Sequence, residues 1–220
     1  DHRDLHLSIR RQRQMCIRDS EGLAYVRTRP EMRLAFRLAF TVAGLGAVFA
    51  FSLAAGVADD LFGRGGGGLG VLSTSLGVGS LLASAFISGR GGRMSRAVLE
   101  RQAILLYGTG LLIVASSSWL GLGMLGYLLT GAAHMLHGTT LSTALQMRVD
   151  EEFRGRVMSV FLVAILSGIP IGGLAFGILG DLVGLRWVVL SAGLVLCLDG
   201  LVTGRRGVLT LLDEESETDG

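Results

Sequence analysis

AILLYGTGLLIVASSSWLGLGMLGYLLTGAAHMLHGTTLSTALQM, residues 103–147, contains no Asp, Glu, Lys or Arg. An apolar stretch of 18 or more residues reads as a membrane span. As one helix this run would measure about 68 Å, more than twice the hydrocarbon core of a bilayer. It must therefore fold back, and the polar Ser116-Ser117-Ser118 before Trp119 is the place to turn. Trp119 would then stand in the interfacial belt that aromatic rings favour. The run holds two spans, 103–118 and 120–147.

Working outward, 38–57 and 69–88 are also free of charge, and 157–180 and 187–203 follow downstream. The fold class expected is an all-α membrane protein with six transmembrane helices, flanked by a linker at 21–37 and a tail at 205–220. Composition agrees. Only 17% of the 220 residues are charged, half are hydrophobic, and Gly numbers 34, against about 25% charged in a soluble domain. High Gly suits helices that approach closely in lipid.

Arginine sets the orientation. Segment 21–37 carries Arg27, Arg29, Arg33 and Arg37, but 58–68 carries only Arg64. Segment 89–102 carries Arg90, Arg93, Arg96 and Arg101, the Ser-rich hairpin none, 148–156 three, 181–186 only Arg186, and the tail two. High and low alternate, so the positive-inside rule puts both ends in the cytoplasm and makes this a multi-pass protein of the inner or plasma membrane.

The first twenty residues, DHRDLHLSIRRQRQMCIRDS, are basic without an apolar run behind them, so they are not a signal peptide. They resemble a translated sequencing-library adapter and are excluded from the fold reading. The chain's formal charge of +2 lies wholly in this leader. No basic surface remains beyond it to take a nucleic acid. Cys16 and Cys197 offer no disulfide pair and no metal spacing.

Two G-x-G-x-x-G matches, at 65–70 and 121–126, adjoin spans rather than a strand, which removes a dinucleotide reading. Small residues four apart mark close helix faces: Ser73 with Gly77, Ser75 with Gly79, Gly168 with Gly172, and Gly173 with Gly177 around Pro170. These faces are either ordinary packing or surfaces that rock against a partner half.

Ionisable groups inside a span are costly and default to functional candidates. His134 falls near mid-bilayer, His137 follows on the same face, and Thr130 precedes by a turn. They are candidates to bind substrate or a proton; the alternative is two neutral imidazoles satisfied by hydroxyls and carbonyls. Asp199 lies near the cytoplasmic interface and is expected to reach water or Arg205-Arg206, with Arg37 snorkelling at the mouth of the first span.

QMRVDEEFRGRVMS, residues 146–159, resembles the junction of the tenth and eleventh helices in the enterobactin and macrolide exporter branch of the major facilitator superfamily. Arg154 to Ser159 match its R-G-R-V-M-S run, and EGLAYVR at 21–27 is similar to the branch's central linker. The resemblance implies helices seven to twelve of such a transporter, with the tenth lining the central cavity. It further implies a cytoplasmic charge network of Asp150, Glu152, Arg154 and Arg156 that holds one conformational state. The loop GRGGRMSR at 89–96 departs from the family's basic loop by lacking its Asp.

The function expected is proton-coupled efflux of a small amphipathic molecule by alternating access. Its partners are the lipid bilayer, the missing amino-terminal six-helix half and the small-molecule substrate. It implies no enzyme activity, no cofactor and no metal. Two other readings are a half-transporter that homodimerises and a non-transporting scaffold or sensor.

Overall fold

The computed structural model describes residues 24–205 and 207–213; the adapter-like leader and most of the acidic tail lie outside them. Six long helices run up and down: α1 Pro30–Phe51, α2 Gly65–Gly89, α3 Arg96–Ser116, α4 Leu120–Arg148, α5 Glu151–Val183 and α6 Leu185–Arg205. No strand occurs among the described residues. Helices α1, α3 and α5 begin at one end of the bundle, where α2, α4 and α6 finish. This is called the terminal end below, and its opposite the far end.

The protein is an all-α membrane protein. Among the described residues, five helices are long and apolar enough to cross a bilayer. The sixth, α4, has the length at 29 residues, but Thr130, His134, His137, Thr139, Thr140, Ser142 and Thr143 lower its hydropathy. Its polarity has a use described below.

Helix α1 starts at Pro30, within the segment read as a linker. Proline at the first helical position costs nothing, and Glu31 sits well near the helix's positive end. Met32, Leu34, Ala35, Leu38, Ala39 and Val42 are buried on one stripe, with Arg33 and Arg37 exposed opposite. An amphipathic face lets the helix run beyond the charge-free stretch. It contains a π turn at Ala43–Ala47 and ends where the amides of Ser52 and Leu53 both turn to the Val48 carbonyl. That leaves the Phe49 carbonyl free, and the Tyr127 hydroxyl donates to it at 2.8 Å.

The break between α3 and α4 falls at Ser117–Trp119. Ser117 is extended, its hydroxyl accepts from the Trp119 amide at 3.0 Å, and Trp119 is exposed. Helix α4 lies between α2 and α3, α3 carries α6, and α1 lies along α5.

Glycine makes the closest of these approaches. Gly79 of α2 meets the Leu128 carbonyl of α4, and Gly131 of α4 meets the Leu76 backbone. The Ser80 hydroxyl ties the seam by donating to the Gly131 carbonyl at 3.0 Å. Gly168 and Gly172 of α5 press on Ala43 and Gly44 of α1, and Gly173 presses on Ser52. Gly77 faces open space, and Gly177 comes only to 4.0 Å of Leu53. Four of the six glycines read from sequence therefore pack helices within this bundle. The spacing identifies a close face without naming its neighbour.

Candidate functional site

On α3, Glu100, Ala103, Ile104 and Tyr107 are all buried and follow one another at helical spacing. This stripe faces the His134 and His137 side of α4. The His137 Nδ1 lies 2.6 Å from Glu100 Oε1, with the His137 side chain 7% exposed and that of Glu100 fully buried. The second oxygen, Glu100 Oε2, has no hydrogen-bond partner. At that distance a single hydrogen bond joins imidazole and carboxyl across the two helices. A buried ionised group is costly unless paired, so each side chain depends on the other. The unpartnered oxygen leaves the carboxyl with hydrogen-bonding capacity to spare.

His134 stands one turn toward the far end. Its Nδ1 lies 3.4 Å from the Tyr107 hydroxyl, and its ring lies 5.1 Å from that of Phe51. Tyr107 takes this place because Gly46, in the π turn of α1, leaves space for its ring. Thr130 continues the line but spends its hydroxyl on the Gly126 carbonyl at 2.8 Å. The structure thus sets the two histidines against α3 and leaves Thr130 a structural bond within its own helix.

Glu100 falls in the Arg-rich segment 89–102, between the charge-free spans, and is not among the site residues expected from sequence. Its signal was the helical spacing to Ala103, Ile104 and Tyr107, which places a carboxylate on an otherwise apolar stripe.

Asp199 corrects an expectation. Its Oδ1 accepts from Arg37 at 2.8 Å, and its Oδ2 has no partner. Arg37 therefore does not simply snorkel, and Asp199 does not turn to Arg205. Six residues of α-helix leave Arg205 about 120° around the axis from Asp199, whereas Arg37 on α1 donates to it directly.

Of the residues assigned to the charge network, Asp150 lies between segments. It accepts from Arg29 at 3.1 Å and from the Tyr25 hydroxyl at 3.0 Å. Tyr25 stacks on Phe153 at 4.9 Å, Arg29 lies over Tyr25, and Arg156 lies over Phe153. Burial raises the Tyr25 hydroxyl above the usual tyrosine range, against the opposing pull of the Asp150 amide and the Arg29 charge. Glu152 and Arg154 are exposed. At the far end Arg186 donates to the carbonyls of Ala115 and Leu61 and to the Ser118 hydroxyl.

Among the described residues no three His, Cys, Asp or Glu side chains gather as metal ligands would. No curated protein and no solved structure matches the chain. Residues 10–218 match the model of the family described as transmembrane secretion effector. That match, over nearly the whole length of an all-helical membrane protein, places this chain in the transmembrane secretion effector family of major facilitator transporters.

Proposed function

We propose that the chain is the carboxy-terminal half of a proton-coupled exporter that moves a small amphipathic molecule by alternating access. The observation that carries this reading is the pairing of His137 with Glu100 at 2.6 Å between two membrane helices. An ionisable pair at such a depth is expensive, and proton relays are a principal reason to keep one. His134 lies beside it as a candidate substrate or proton group, with Thr130 contributing at most shape.

On this reading all six helices span, α4 included, because helix neighbours on two sides shelter its polar face. They correspond to family helices seven to twelve in the siderophore and macrolide exporter branch. The Arg-rich terminal end faces the cytoplasm. Asp150, Glu152, Arg154 and Arg156 act there as a conformational charge network, with Arg29 and Tyr25 extending it into the linker. Helices α2 and α5 are the least covered, with 22% and 11% of their most apolar windows buried. They form the surface for an amino-terminal six-helix half. The same exposure would suit a second copy of this chain, and cross-linking between cysteines placed at Gly77 would detect that pairing.

The test is transport in vesicles by the intact transporter that contains this chain. Glu100→Gln and His137→Gln should abolish uptake driven by a pH gradient while leaving exchange of substrate across a vesicle without a gradient. Gradient-driven uptake at the unaltered rate in both variants would refute the proposal.

A further inference from the structure

Beyond α6, Gly207 adopts a positive φ of 63° and the turn Val208–Leu212 folds back onto the bundle. Leu209 and Leu212 are buried there at 2% and 1% exposure. Asp213 then sets its carboxylate on the first turn of α3, accepting from the Arg96 amide at 2.6 Å and the Ala97 amide at 3.3 Å. The first amides of a helix lack partners in the helix, and its positive end favours an anion. The segment is thereby strapped across the terminal end.

Under this strap lies a cavity of about 380 Å³ whose lining includes Ile87, Leu99, Thr139, Thr140, Thr143 and Asp213. Leu99 immediately precedes Glu100. Thr140 is buried one turn beyond His137. The cavity thus ends within a helical turn of the pair, and hydroxyls and a carboxylate line it. Its volume is many times the roughly 30 Å³ that one water occupies in the liquid, and Ser95, Thr139, Thr140, Thr143 and Asp213 set polar groups into a lining that is otherwise largely apolar, giving water partners along one side.

We propose that this cavity is the hydrated path by which protons pass between solution at the terminal end and the Glu100–His137 pair, with Asp213 as the latch at its mouth. It rests on the pair being the coupling site. One proton arriving from cavity water binds the pair and raises its charge by one; its departure reverses the step. Arg96 and Asp213 stand at the mouth, and His134 lies a turn along α4. Arg101, next to Glu100, is directed to Gly204 of α6.

The test is hydrogen–deuterium exchange at the pair in this chain held in lipid nanodiscs, followed by the infrared band of the Glu100 carboxyl and the ¹⁵N resonance of His137. Asp213→Ala removes two charge-assisted hydrogen bonds, so exchange should accelerate roughly tenfold. Thr140→Val keeps the shape, removes a hydroxyl from the path and should slow exchange several-fold. Thr130→Val, on the far side of His137, should leave it unchanged. Exchange indifferent to both Asp213→Ala and Thr140→Val, or controlled by Thr130→Val, would overturn the path. If instead gradient-driven transport ignores Glu100→Gln while exchange follows Asp213, the coupling role falls and the hydrated path stands.

Discussion

Glu100 on α3 and Asp199 on α6 each hold one oxygen in a bond and leave the other without a partner. They differ in what holds them. Glu100 is enclosed with an imidazole, whereas Asp199 meets a guanidinium whose side chain is 45% exposed. A guanidinium keeps its proton in any protein, so the α1–α6 contact is a fixed electrostatic tie. The charge of an imidazole, unlike that of a guanidinium, is not fixed in proteins, and the proposed coupling role of the α3–α4 contact rests on that difference. The lesson is that depth alone does not mark a working site: the partner's ability to titrate does. A third pair, Arg29 with Asp150, completes the series at the surface with side chains 34% and 56% exposed.

Removing one partner of the most enclosed pair should have the largest effect. His137→Leu strands Glu100 and should destabilise the protein by about 3–5 kcal/mol, read from unfolding titrations in mixed micelles. Replacing both, as Glu100→Leu with His137→Leu, should recover most of that loss, because no buried charge remains. Should the single and double variants prove equally unstable, the loss would come from packing and the contrast with Asp199 would dissolve.

Arg37→Met probes the intermediate case. Its cost should be about 1 kcal/mol, since a half-exposed guanidinium gives up little on leaving and Asp199 keeps some access to water. Its effect on gradient-driven transport should be a uniform slowing, without the loss of coupling expected at Glu100. A coupling defect in Arg37→Met would move the titrating site to α6.

Much of this bundle was legible because hydrocarbon imposes simple rules on a sequence. The charge-free run at 103–147 required a turn, and the serines before Trp119 supply it. His137 could be flagged because any imidazole within a span is conspicuous. Glu100 could not be flagged by counting loop charges. Its meaning depends on α3 beginning at Arg96 and turning that carboxylate inward, which is a matter of rotation about the helix axis. The Arg37–Asp199 bond joins positions 162 apart in sequence, so it exists only once α1 and α6 are placed together. Gly79 and Gly172 announced close contacts, but which backbone each would touch was decided by the topology.

Salt gives the smallest and most discriminating expected effect. Asp150→Asn removes the exposed pair with Arg29 and should cost only a few tenths of a kcal/mol at low ionic strength. In 1 M salt the screening length falls to about 3 Å, and that difference should vanish within error. The cost of His137→Leu should remain in the same solution, because hydrated salt ions cannot enter between α3 and α4 to screen side chains only 7% and 0% exposed. Unfolding titrations of both variants at low and high salt measure this directly. A penalty at His137 that fades with salt would mean that solvent reaches the pair freely. Glu100 would then be another surface carboxylate, and the distinction between a pair able to change its charge and a fixed tie would lose its physical basis.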